Sequence, residues 1–310
     1  VRITNRMLNN NVVRNINRNL EIMSRTQEQM SSGKAVSRPS DDPIVVARVL
    51  AFKTSIAAND QYKKNMEDAR GWLDASERAL DMATATLQRA RELAVYGANG
   101  TMPDESMEAL AAEVDQLIDE MVQIGNTSYG GRFLFAGTDT PEAPFERITD
   151  NTDPEFPVKY NGDTQKLDWE VAPQVTITVN ENGKYVFNQA IDTNGDNTAD
   201  KGIFKLLYEL YEALKNHNNT QVSNTLGQFD QAIDHLLEIR ATLGAKSNRL
   251  EMATSRLDDT QIGLTKTMSS LADIDLAETV MNYKNQENVY RASLATGAMV
   301  LQPSLIDYLR

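Results

Sequence analysis

Seven apolar residues, Phe229, Leu236, Leu243, Leu250, Leu257, Leu264 and Leu271, stand seven positions apart without a break. A repeat that long at that period keeps one stripe of a helix facing a partner, and strands or short helices do not produce it. If residues 229–271 are continuously helical they span roughly 60 Å at about 1.5 Å per residue. A stripe of that length requires a second long helix to cover it.

The candidate partner lies in the first half of the chain. Met66, Leu73, Leu80 and Leu87 recur at the same period, with Ala69, Ser76, Ala83 and Ala90 between them. This stretch opens at Ser40-Asp41-Asp42-Pro43, where an oxygen side chain can cap free N–H groups and proline suits the first turn. It then runs without proline to Gly97. Pro103-Asp104-Glu105 opens a further helix in which Met107, Leu110, Val114, Leu117, Met121 and Ile124 alternate spacings of three and four, and Gly125 ends it.

The middle of the chain is of another kind. Of 20 Phe, Trp and Tyr, 12 lie between Tyr129 and Tyr211, and five of nine prolines lie between Pro141 and Pro173, so the interval breaks the helical pattern on both sides. Leu167, Trp169 and Val171 alternate with acidic residues, and Val175, Ile177 and Val179 alternate with threonines, which predicts half-buried strands. Asn161-Gly162 and Asn182-Gly183 read as hairpin-type turns. The expected fold is therefore mainly α. It is a long antiparallel, coiled-coil-like rod formed by both chain halves, with a small, separable β-rich domain inserted in the middle. The expected division is a rod of residues 43–127 and 205–271, an outer insert of 128–204, and terminal helical segments 1–42 and 272–310.

The terminal segments carry helical stripes of their own: Ile16, Leu20, Met23 and Met30 at one end, and Leu294, Ala298, Leu301, Leu305 and Tyr308 at the other. Neither is covered by the rod's internal pairing. These nine residues are the candidate assembly interface.

Chemistry is sparse. Cysteine is absent, which excludes thiol catalysis, zinc-thiolate sites and disulfides together. The two histidines, His217 and His235, lack metal-ligand spacing and read as structural. A formal charge of −13 disfavours phosphate backbones, so nucleic acid is not an expected partner. Nor is membrane insertion expected, because no stretch of eighteen apolar residues occurs. Seven asparagines between Asn5 and Asn19 stand where a secretory apolar core would have to lie, so no cleaved signal peptide is expected. Asp192 to Asp200 places oxygen side chains at the odd positions of an EF-hand-like loop. However, Asn197 replaces the central glycine and Ile203 the bidentate glutamate, so the residues assign no metal or other cofactor.

Several segments together carry a family resemblance: Arg2-Ile3-Thr4-Asn5, Ser31-Ser32-Gly33-Lys34, Ser37-Arg38-Pro39-Ser40-Asp41-Asp42-Pro43, Gly131-Arg132-Phe133-Leu134-Phe135-Ala136-Gly137, Tyr160-Asn161-Gly162-Asp163 and Pro303-Ser304-Leu305-Ile306-Asp307-Tyr308-Leu309-Arg310. They resemble the bacterial flagellin superfamily and, within it, subunits of the hook–filament junction. The resemblance implies a structural, non-enzymatic protein, exported through the flagellar apparatus and assembled as a ring of its own copies. A hook-associated protein would lie on one side and flagellin on the other, and an export chaperone is implied as well. Flagellins usually carry an Asp-Asp-Ala-Ala-Gly-type run where this chain has Asp41-Asp42-Pro43-Ile44, which makes filament flagellin the second reading. A calcium-dependent surface binding protein, with residues 128–204 as its recognition module, is the third.

Overall fold

The computed structural model describes residues 5–148, 156–192 and 201–301. Six α-helices dominate these residues: α1 (Asn5–Ser32), α2 (Pro43–Gly97), α3 (Asp104–Gly125), α4 (Ile203–Lys215), α5 (Asn219–Ala272) and α6 (Leu276–Leu301). Between α3 and α4 lie six short strands, β1 (Ser128–Tyr129), β2 (Arg132–Phe133), β3 (Phe145–Arg147), β4 (Val158–Tyr160), β5 (Asp168–Ala172) and β6 (Val175–Thr178), followed by one turn of π-helix at Lys184–Asn188. The chain divides into two compact units, one of residues 1–58 and 258–310 and one of residues 59–257. The heptad-bearing helices α2 and α5 each contribute to both units.

In the 59–257 unit the two heptad stripes meet. Thr254 Oγ1 lies 3.4 Å from Met66 Sδ, Arg240 binds Glu77 and Asp81, and Arg91 binds Asp230. Numbers rise along α2 as they fall along α5, so the helices are antiparallel. Leu73, Leu80 and Leu87 are fully buried with Leu236 and Leu243. Ala69, Ala83 and Ala90 show no exposed surface, the small residues that let neighbouring backbones approach. Helices α3 and α4 pack on one another, and Val114, Ile118 and Met121 join the same core as Leu207, Leu210 and Leu214.

The strands form three separate antiparallel pairs, β1–β2, β3–β4 and β5–β6. The β5–β6 pair sets Trp169 opposite Ile177, as the alternation predicts. The turns are not where the Asn-Gly dipeptides predict them. The β1–β2 pair turns through Gly130-Gly131, both at positive φ, and β5–β6 turns through Pro173-Gln174. Gly162 and Gly183 instead serve close packing: a Cβ at either would stand 2.8 Å from the Ala136 carbonyl oxygen or 2.5 Å from that of Phe135. The absence of a side chain is what both positions require.

The β region packs against the helices. Phe145 and Phe187 surround Phe204 of α4 with ring centroids 5.3 and 5.7 Å away, and Phe135 stacks edge-on to Phe187 at 5.3 Å. Trp72 of α2 is covered edge-on by Tyr129 and Trp169. Lys246 of α5 reaches Glu181 at 2.6 Å. The strand region sits in the middle of the chain as expected, and its aromatic cluster and the helix stripes are one continuous core.

Candidate assembly surface

In the other unit α1 and α6 pack as an antiparallel pair. The half-buried positions that follow one stripe are Val12, Ile16, Asn19, Met23, Thr26 and Met30 on α1, with Gln29 beside them, and Thr279, Tyr283, Gln286, Tyr290 and Ser293 on α6, with Glu287 beside them, leading to buried Gly297. Both stripes alternate spacings of four and three, the seam of a coiled coil. Its contents are unusual for one: only four of the twelve residues on the two stripes are aliphatic or Met. Asn19 Nδ2 donates to Ser293 Oγ at 2.8 Å, and a Cβ at Gly297 would stand 3.0 Å from Val12 Cγ1 and 3.3 Å from Ile16 Cδ1. Glycine at that position sets how closely the two helices approach.

Many other large apolar residues point elsewhere. Met7, Val13, Leu20 and Ile22 of α1 and Leu276, Val280, Met281, Val289, Leu294 and Met299 of α6 are exposed. The nine interface candidates therefore divide. Ile16, Met23 and Met30 lie half-buried in the seam, while Leu20 and Leu294, each 44% exposed, and Ala298 lie outside it. Leu301 is the last residue of α6, its side chain outside the described set, and Leu305 and Tyr308 fall outside the described residues. Asn19, Ser293 and Gly297 carry no hydrophobic signal. Only their place in a four-three repeat marks them.

The two helix breaks beside this pair are tied together. Gly33, at φ +70°, ends α1, and its N–H donates to the Gln29 carbonyl at 2.8 Å. The Ala35 N–H donates to Ala272 O at 2.7 Å, the Ile274 N–H donates to Gly33 O at 3.1 Å, and Lys34 pairs with Asp273. The Lys34 ammonium and then the Ser269 hydroxyl hold the Asp273 carboxyl below the usual carboxylate range. Asp41 accepts the N–H groups of Arg38 and Ser37, and the Arg38 bond is the main reason its carboxyl is also lowered. Asp42 caps α2 by accepting the Ile44 and Val45 N–H groups at 2.9 and 3.0 Å. Asp275 caps α6 in the same way through Ala277 and Glu278. The Gly33-Lys34 and Asp41-Asp42-Pro43 segments thus build the break between two helices.

Elsewhere the ionisable groups serve packing. Arg147 of β3 joins Asp115 and Asp119 of α3, and buried Lys201 joins Glu209 and Gln228. His235 donates from Nε2 to the Tyr185 carbonyl at 3.0 Å, and burial pushes its pKa down. His217, at φ +52°, is exposed in the turn after α4. Among the described residues no three metal-ligating side chains converge, and no helix is long and apolar enough to cross a membrane. Of the EF-hand-like run, residues 193–200 lie outside the described set.

The family models for the bacterial flagellin N-terminal and C-terminal helical regions match residues 3–140 and 226–309. Flagellar hook-associated protein 3 of Salmonella typhimurium is 28% identical over 87% of this chain and 87% of its own. A flagellin of Halalkalibacterium halodurans is 28% identical over 94% of this chain and 93% of its own. Among solved structures, flagellar hook-associated protein-3 of Legionella pneumophila superposes with a TM-score of 0.63 at 18% identity, covering 72% of this chain and 98% of that one, so the fold is shared. Matched at both ends by the flagellin models, with the middle carried by relatives that align along nearly their whole length, the chain belongs to the bacterial flagellin family.

Proposed function

We propose that this chain is a structural subunit of the bacterial flagellum that joins hook to filament. The observation that carries the reading is the likeness to hook-associated protein 3 over 87% of both chains, which runs through the middle unit as well as the helical ends. The Asp42-Pro43 cap supports the junction reading over the flagellin reading, since it replaces the run usual in flagellins.

The exposed outer faces of α1 and α6 are the surfaces that neighbouring copies would cover in a ring. A hook-associated protein is the proposed neighbour on one side and flagellin on the other. Export proceeds unfolded through the flagellar channel with a chaperone. No thiol or disulfide obstructs that passage.

The reading is tested by expressing the chain in motile cells that lack their own junction subunit. Attached filaments and swimming are expected, and Leu294→Asp is expected to abolish both while the protein is still exported. Long filaments formed by the purified chain alone would instead identify a filament subunit. Swimming at the wild-type level with Leu294→Asp would remove α6's outer face from the interface.

A further inference from the structure

We propose that Asn99 is a site of spontaneous deamidation, selected by the fold from among the Asn-Gly pairs of this chain. In an Asn-Gly pair the glycine amide nitrogen attacks the asparagine Cγ. The new N–Cγ bond closes a succinimide, and the bond to Nδ2 breaks with loss of ammonia. Water then opens the ring at either carbonyl, leaving aspartate or isoaspartate. The reaction needs a free glycine N–H, room for the backbone to turn, and stabilisation of charge on Oδ1 as Cγ becomes tetrahedral.

Three such pairs lie among the described residues, and two of them are held. Asn182 Oδ1 accepts a donor, the Lys184 N–H at 2.8 Å, but the nucleophile of this pair is engaged: the Gly183 N–H donates to Phe135 O at 3.2 Å. Gly162 is pressed against Ala136 O, while Asn161 is bonded through its own N–H to Pro144 O at 2.8 Å and through Nδ2 to Glu146. Turning either glycine toward the preceding side chain would break into the packed aromatic core.

Asn99-Gly100 lies in the exposed turn between α2 and α3. Among the described residues the Gly100 N–H has no acceptor, and the nearest atom to a Cβ built there is Asn219 Nδ2 at an ordinary 3.6 Å. The turn's own backbone bonds, Asn99 N–H to Tyr96 O and Met102 N–H to Asn99 O, are both long at 3.2 Å. Thr101 donates twice to Asn99 Oδ1, from Oγ1 at 2.9 Å and from N–H at 3.3 Å. Those donors polarise the Cγ carbonyl and meet the charge that develops on its oxygen, as an oxyanion hole does.

The test is peptide mapping of the purified full-length protein, held folded at mildly alkaline pH and sampled over days. Aspartate and isoaspartate are expected at residue 99 about tenfold sooner than at 161 or 182, a difference equivalent to about 1.4 kcal/mol in barrier. In urea-unfolded chain the three sites should convert at similar rates. Thr101→Val, which removes one donor from an exposed turn, should slow residue 99 by about two- to tenfold. Conversion at 161 or 182 as fast as at 99 in the folded protein, or no conversion at 99, would overturn the proposal. An unchanged rate in Thr101→Val would overturn the role given to its hydroxyl.

Discussion

The helix seams of the two units differ in what they bury. In the middle unit, α2, α3 and α5 contribute leucine, methionine and alanine stripes that are mostly buried, with Leu110 and Leu257 partly so, and an aromatic cluster closes over them. In the α1–α6 pair every α1 seam position is only half-buried, and the pair is completed by asparagine, threonine, glutamine, serine and glycine, with large apolar residues left outside. Several packed layers can surround a stripe, whereas two helices alone can at best half-cover one another. The first arrangement specifies a stable fold, and the second leaves apolar surface available for association.

The comparison breaks most visibly if the middle unit loses its aromatic cover. Joining Gly137 directly to Gly202 removes Phe145 and Phe187 from around Phe204 and takes Trp169 off Trp72, so cooperative melting of this unit should disappear in calorimetry. A sharp transition with full helical circular dichroism would show that the helices stand alone. Phe187→Ala probes the same cluster with one cavity and should cost about 3–5 kcal/mol in denaturant unfolding.

Gly297→Val addresses the other seam. A Cβ there already meets Val12 Cγ1 at 3.0 Å, and the added methyls should cost about 1–3 kcal/mol of α1–α6 pairing. Hydrogen exchange should report faster opening of α1 with no change in the middle unit; a shifted melt of the middle unit would show that the effect is not confined to the α1–α6 seam. The Lys34–Asp273 pair gives a smaller, pH-dependent effect. Because Asp273 is lowered below 3.8 in the folded chain, its contribution is present above that value and lost as pH falls through the folded pKa. An NMR titration should place Asp273 below 3.8 and return it toward that value in Lys34→Ala. Smallest of all, Leu294→Asp should leave the isolated protein's melting unchanged to within about 0.5 kcal/mol, as suits a surface position.

Much of this was legible along the chain. The seven-residue repeats of α2 and α5, the three-four spacing of α3, and the Asp-Pro start of α2 each rest on local rules of periodicity and capping. The α1–α6 seam was legible on one side only: in α1 the spacing marks Ile16, Met23 and Met30, whereas in α6 hydrophobic periodicity selects Leu294 and Ala298 on the exposed side rather than Ser293 and Gly297 on the packed one. The Asn-Gly dipeptides misled for a related reason. Glycine signals freedom of φ and freedom from a side chain with the same letter, and at Gly162 and Gly183 the second was in use.

The sequence by itself determined that this protein is built on long paired helices with an aromatic, strand-bearing middle, because those properties depend on residue spacing within a few turns. Tertiary structure alone decided that the middle shares its core with the helices, and which face of α6 meets α1. Phe145, Phe187 and Phe204 come from β3, the π-helical turn and α4, and only folding brings their rings within 6 Å of one another. A contact between residues so far apart along the chain leaves no period to read.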